Sequence, residues 1–154
     1  MKPQDAPGFQ PDLGTVSWKV HFRSAPSEVY RALSTPLGRS RFWALSAKQT
    51  DGQIYFVQPG DATFTGRILD DVKNELYSVE YFGWVVSFEL DTDAEIPGTI
   101  LTMTCTGIKE QERMEATACW VSTLMRMKAS VDFGVDLRNL DANLTWAHGY
   151  VESC

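Results

Sequence analysis

Acid–base chemistry inside a protein needs a titratable side chain turned inward and within hydrogen-bond reach of a substrate. Few ionisable groups of this chain have that prospect. In the stretch Leu76-Tyr77-Ser78-Val79-Glu80-Tyr81, alternation turns the hydroxyls of Tyr77 and Tyr81 toward the apolar side. Lys128 and Asp132 stand one helical turn apart on the flank of a helical apolar stripe. Tyr81 with Lys128 and Asp132 is therefore the candidate catalytic set, able to orient an enolisable substrate in a cyclase- or hydrolase-like reaction. The competing reading of Lys128 and Asp132 is a solvated salt bridge, the commoner fate of such pairs. His21 falls on the outward face of a strand, and His148, beside Trp146 and Tyr150, is a surface histidine or a gate over a pocket mouth.

The three cysteines, Cys105, Cys119 and Cys154, make an odd count without metal-ligand spacing. They read as reduced thiols of a reducing compartment, Cys105 and Cys119 as small buried hydrophobes and Cys154 as a thiol free to pair between molecules. No phosphate loop, nucleophile elbow or metal cluster stands in the sequence, so no metal and no cofactor is expected. Binding is the stronger prospect. Large, adaptable apolar side chains are abundant, and those expected to line an internal pocket are Tyr30, Trp43, Phe64, Tyr81, Trp84, Phe88, Met103, Trp120, Leu124 and Met127. Each of these also reads as an ordinary core residue.

The elements that would position them follow from periodicity. Val16, Trp18, Val20 and Phe22 alternate with polar residues and mark a half-buried strand. Pro26, with Ser24 or Ala25 as cap and Glu28 in the first turn, opens a helix whose stripe is Val29, Tyr30 and Leu33; Thr35, Pro36 and Gly38 stop it. A short turn over 40–45 then returns Phe42 and Trp43 to the core. From there to Gly107 the chain reads as strands, punctuated at Asp51-Gly52, Pro59-Gly60-Asp61, Lys73-Asn74, Gly83 and a loop over 91–98. Parity points Ala62, Phe64, Gly66, Ile68, Tyr77, Val79, Tyr81, Trp84, Val86, Phe88, Leu90, Leu101, Met103 and Cys105 inward. A helix over 114–137 carries Ala116, Trp120, Leu124, Met127, Val131 and Val135 on its buried stripe, with Ser122, Arg126 and Ser130 turned away.

Segment 1–13 reads as a flexible N-terminal stretch, 14–137 as one domain, and 138–154 as a tail that docks as a short extra element. At 154 residues a single domain buries a sizeable core. The formal net charge of -6, with basic residues scattered, makes nucleic acid a poor partner. No apolar run has the length of a membrane span or a signal peptide, so a soluble cytoplasmic protein is expected. A homodimer through the outer sheet face or the tail is permitted.

Strand, short helices, a run of antiparallel strands and a long terminal helix make an α+β order. Ser24-Ala25-Pro26-Ser27-Glu28-Val29-Tyr30-Arg31-Ala32-Leu33 followed by Phe42-Trp43, the glycine-centred Phe64-Thr65-Gly66-Arg67-Ile68, the strand opening Gly98-Thr99-Ile100-Leu101-Thr102, and Trp120-Val121-Ser122-Thr123-Leu124-Met125 carry a resemblance. They resemble the START-like (SRPBCC, Bet v-type) superfamily, in the branch of the C-terminal domain of the heat-shock chaperone ATPase activator and the polyketide cyclase-like proteins. Cys119 stands where that branch has glycine. The resemblance implies a helix-grip fold, a curved antiparallel sheet of six to seven strands around the long C-terminal helix, with two short helices after the first strand. It implies a ligand cavity without implying an activity. Three functions are thus expected in order: binding of a hydrophobic small molecule such as a lipid, polyketide or aromatic metabolite; a cyclase- or hydrolase-like enzyme acting on such a ligand; and a stress-related protein-interaction module.

Overall fold

In the computed structural model, which describes residues 12–154, the alternating segments form strands β1 (Thr15–Phe22), β2 (Ser46–Thr50), β3 (Gln53–Val57), β4 (Thr63–Val72), β5 (Leu76–Tyr81), β6 (Trp84–Asp91) and β7 (Thr99–Thr106). The N-terminal segment expected over 1–13 lies outside the described residues apart from Asp12 and Leu13. Helices α1 (Pro26–Ser34) and α2 (Pro36–Ser40) follow β1, and α3 (Arg113–Phe133) follows β7. One seven-stranded sheet results, in the order β1-β7-β6-β5-β4-β3-β2, with every neighbouring pair antiparallel. The first strand pairs along its whole length with the last, which leaves β1 and β2 as the two edges of the sheet. α3 lays Ala116, Trp120, Leu124 and Met127 on the sheet's inner face, and these join Val79, Val86, Phe88, Leu101 and Met103 in one core. This is the α+β helix-grip arrangement.

Curvature has a visible cause at Gly66. A Cβ there would overlap the carbonyl oxygen of Glu80 and sit 3.2 Å from Val79 Cγ2, so β4 can approach β5 this closely only without a side chain. The register between the same two strands also shifts at Ile68 and Asp70, a bulge that adds twist.

Several local expectations are corrected. Thr35 ends α1 as expected, in extended conformation, but the second short helix comes earlier than 40–45: Pro36 starts α2, Gly38 lies inside it, and Thr35 Oγ1 accepts the Gly38 N–H at 3.0 Å as its cap. α3 stops at Phe133 rather than near residue 137, because Gly134 adopts φ 64° and returns its N–H to the carbonyls of Ala129 and Ser130. Val135 therefore leaves the stripe and is exposed, as is Ala62, expected inward. Ser122 and Arg126, expected to face away from the core, are buried at 8% and 2% exposure. Their face of α3 is covered by the tail, so the helix is enclosed on two sides.

A second arginine is wholly buried. Arg39 donates from Nε and Nη2 to the Ala47 carbonyl at 3.1 and 2.8 Å, and from Nη1 to the Leu33 carbonyl at 2.9 Å and the Tyr77 hydroxyl at 3.3 Å. It ties α1, α2 and β2 to the middle of the sheet.

Gly66→Ala is expected to destabilise the fold by about 1–3 kcal/mol, the usual effect of forcing atoms into a closed site. A denaturant titration measures it; an unchanged midpoint would show that β4 can move away from Glu80.

Candidate functional site

The centre of the molecule is aromatic. The Trp43 ring lies 5.2 Å from Phe56, 5.4 Å from Tyr81, 5.6 Å from Phe88 and 6.4 Å from Trp120, centroid to centroid, mostly tilted or edge-on. Trp43, Phe88, Met103, Trp120, Leu124 and Met127, all expected around a pocket, are at most 2% exposed and pack against one another as core. Tyr30 sits apart, edge-on to Tyr77, with its hydroxyl donating to Asp71; that bond and burial raise its pKa. Tyr77, the other inward hydroxyl, takes the Arg39 hydrogen bond and is likewise raised by burial. Phe64 stacks on Phe56 and Phe82 at the edge of the ring cluster.

The opening lies beside this core. A cleft of about 630 Å³ is bounded by the β3–β4 turn at Gln58, Pro59 and Gly60, by Tyr81, Phe82 and Trp84 of the β5–β6 hairpin, and by Glu112, Glu115 and Cys119 at the start of α3. The remaining wall is the tail, through residues such as Thr145, Trp146, His148 and Ser153. Of the residues expected to line a pocket, the structure brings Tyr81 and Trp84 here.

Local chemistry explains the hairpin wall. β5 and β6 are joined by Phe82-Gly83, whose φ values of 56° and 79° make the two-residue turn that suits a twisted hairpin. Phenylalanine is an unfavourable residue for left-handed backbone, a few-per-cent conformation that glycine, asparagine or aspartate enters more readily. Here it places a 57%-exposed phenyl ring at the cleft. Tyr81 is nearly buried behind it, with its oxygen 3.4 Å from Gln58 Nε2, and burial pushes its pKa up to about 12.

The tail is folded into two 3-10 turns, Trp146–His148 and Val151–Ser153, and is tied down along its length. Arg138 donates to the carbonyls of Ala44 and Ser40 at 2.9 and 2.6 Å, and Asn139 Nδ2 to the Leu144 carbonyl at 3.1 Å. Trp146 donates its indole N–H to Glu115 at 3.2 Å, and Ser122 Oγ donates to the Val151 carbonyl. Arg126 reaches from α3 to the carbonyls of Phe42 at 2.9 Å and Cys154 at 2.7 Å. Finally Cys119 and Cys154, expected as separate reduced thiols, are bonded to each other with Cα atoms 5.4 Å apart. The fold places them side by side although 35 residues separate them, a pairing no spacing pattern announces. With that bond the cysteines no longer point to a reducing compartment. Cys105 is the buried free thiol that parity placed inward, raised to about 12 by burial.

Lys128 and Asp132 lie elsewhere. The nine residues from Cys119 to Lys128 carry them about 13 Å along the helix from the cleft. Asp132 accepts the backbone N–H groups of Arg23 at 2.9 Å and Ser24 at 3.1 Å and the Ser24 hydroxyl at 2.8 Å, while Lys128, 4.0 Å away, donates to the His21 carbonyl. Ala25, the α1 cap, has no side-chain acceptor, so the Asp132 charge stands near an otherwise uncapped helix start. Burial pushes the Asp132 carboxyl up, but the Arg23 and Ser24 hydrogen bonds and Lys128 more than offset it and hold it below the ordinary value. The pair is a fastening between α3 and the β1–α1 junction, and its carboxylate is enclosed rather than solvated.

Sequence reasoning overlooked Phe82, Glu112 and Glu115. An apolar residue in front of a turn glycine was a usable signal for the first; the alternating charges of Glu110 to Glu115, ahead of the long helix, read from the sequence as a solvated loop and helix entry. His148 does stand at the cleft, with Nδ1 2.8 Å from Thr145 Oγ1. Among the described residues no cluster of histidine, cysteine and carboxylate side chains is arranged to hold a metal, and no helix is long and apolar enough to cross a membrane.

No protein-family profile and no curated protein matches the sequence. Solved structures do match in shape. The Aha1 dimer of Colwellia psychrerythraea superposes with a TM-score of 0.67 at 18% identity, over 78% of this chain and 97% of that one. The AHSA1-like protein of Aeromonas hydrophila gives 0.67 at 16% identity, over 78% and 93%. DynU16, a protein of the dynemicin biosynthetic locus, gives 0.68 at 18% identity, over 83% of this chain and 50% of that one. The fold is the AHSA1-like helix-grip fold that the sequence motifs imply.

Arg126→Met is expected to destabilise the protein by about 2–4 kcal/mol, since buried carbonyls lose charged donors, and to speed amide exchange over 145–154 before the sheet is affected. Protection of the tail at wild-type level would contradict this. For Asp132, whose pKa is lowered on folding, the contribution is present above the unfolded value near 3.9 and is lost as pH falls through the lower folded value. Asp132→Asn should therefore be less stable at pH 7 and show a flatter acid limb in a stability-versus-pH series.

Proposed function

We propose that this protein binds a small, largely apolar molecule in the cleft between the β5–β6 hairpin, the start of α3 and the tail, as a carrier or sequestering protein. The observation that supports this most is the cleft itself: about 630 Å³, walled by Tyr81, Phe82, Trp84 and Trp146. That volume is in the range of small-molecule sites, which are mostly apolar with a few polar groups to set orientation. The left-handed Phe82 adds weight, because an unfavourable residue kept at a cleft wall points to use of its ring. A place for DynU16 in a biosynthetic locus fits a small-molecule role for the scaffold.

Catalysis is less well supported. Tyr81 is at the cleft, but Lys128 and Asp132 are engaged at the other end of α3. The carboxylates that do reach the cleft hold indole N–H groups.

One observation favours a second reading, an interaction module. Met114, Val121 and Met125 share the outer face of α3 and are 86%, 43% and 52% exposed. The Colwellia protein is a dimer. A solution mass above that of the monomer, returned to monomer by Met125→Glu, would favour this reading.

A neutral naphthalene probe should bind the wild-type protein with a stoichiometry of about one, and Ala147→Trp, which fills the cleft from the tail side, should weaken it at least about tenfold. Equal binding by the filled variant would place the ligand elsewhere.

A further inference from the structure

Building on the binding reading, we propose that the cleft selects a cationic ligand, an ammonium group carried on an apolar or aromatic body. Two indoles enter from opposite walls, Trp84 from the sheet and Trp146 from the tail. Each donates its Nε1–H to a carboxylate of one helical turn: Trp84 to Glu112 Oε2 at 3.0 Å, Trp146 to Glu115 Oε1 at 3.2 Å. These bonds pin the ring edges, and an indole whose N–H faces an anion presents a more electron-rich π face. Phe82, 57% exposed, contributes a further face of the same polarity, and aromatic faces attract cations.

The charges at the cleft point the same way. Glu112 also accepts the Lys109 backbone N–H at 3.2 Å, and its bonds from Trp84 and Lys109 hold its carboxyl below the ordinary value. A carboxylate has about four lone-pair sites, so both glutamates keep acceptor capacity after these contacts. Among the described lining residues there is no lysine or arginine. His148 is engaged by Thr145 through Nδ1. Arg126 lies beneath the floor at 2% exposure, its guanidinium turned to the Phe42 and Cys154 carbonyls. Among the lining residues a ligand carboxylate or phosphate would meet two anions and no lysine or arginine; the exposed Lys109 stands near Glu112 and helps hold that carboxylate charged. A neutral body would bury against the rings but leave the carboxylates unanswered. An ammonium satisfies both.

The test compares three naphthalene probes by equilibrium dialysis at low and high salt: naphthylmethyl-trimethylammonium, its uncharged carbon isostere neopentylnaphthalene, and naphthylacetate. The cation is expected to bind on the order of tenfold tighter than the isostere, the size of a desolvated cation–π contact, with the anion weakest and the advantage shrinking at high salt. Glu115→Gln keeps an oxygen acceptor for the Trp146 indole and removes the charge. It should weaken binding of the cation several-fold more than binding of the isostere. Glu112→Gln should act likewise. Equal affinity for all three probes, or a cation preference untouched in both variants, overturns the charge selection and leaves an apolar binding site. No binding by any probe overturns both readings.

Discussion

The tail, and with it the cleft, depends on one buried cation. A guanidinium carries five N–H donors and keeps its charge at neutral pH, so placing it inside requires acceptors in several directions. Arg126, midway along α3, finds them at the Phe42 carbonyl, Ser122 Oγ, the Cys154 carbonyl and, at longer range, the Glu152 carbonyl. Burial, with Arg138 nearby, pushes its pKa down to about 10, still well above neutrality. Two of these acceptors belong to the tail, which must therefore lie over α3. The Phe42 carbonyl must turn inward, which sets Trp43 at the centre of the ring cluster. Arg39 acts in the same manner on the other side, where the Ala47 and Leu33 carbonyls bind the helical pair to the sheet.

From that constraint follows the position of the opening. The concavity that the helix-grip arrangement offers is occupied by the protein's own rings, Trp43, Phe56, Tyr81, Phe88 and Trp120. Ligand space arises instead where the β3–β4 turn, the β5–β6 turn, the beginning of α3 and the tail converge. One side of that space is rigid, backed by the core. The other is a segment of 3-10 turns fixed by a disulfide, a buried arginine and an indole bond. The two walls thus differ in what holds them, close packing on one side and discrete polar links on the other.

The two ends of α3 carry different ionisable work. At its end, Asp132 and Lys128 join the helix to the β1–α1 junction, in a place where an enclosed carboxylate is stabilised by backbone N–H groups. At its start, Glu112 and Glu115 orient the indoles from facing walls and leave negative charge at a solvent-accessible cleft. The same residue type is structural in one setting and available to a ligand in the other, and enclosure is what distinguishes them.

Much of the fold was legible in the sequence because it is local. Alternation in Val16 to Phe22 and Leu76 to Tyr81, glycine turns at Gly52, Gly60 and Gly83, and the stripe Ala116, Trp120, Leu124, Met127 are each written within one element's length. Those signals suffice for a sheet with a helix across it. The site was not legible to the same degree. Core and cavity wall both ask for large apolar side chains, so composition placed Trp43, Phe88 and Trp120 with Tyr81 and Trp84, and only packing separated them. The inward turn of Arg126 was hidden because its partners are mostly backbone carbonyls, which have no residue signature. The Cys119–Cys154 bond and the Trp146–Glu115 contact join positions 35 and 31 residues apart, distances over which periodicity carries no information. Local steric and hydropathic rules determined the elements; the meeting of distant segments around a buried charge decided where a ligand can enter.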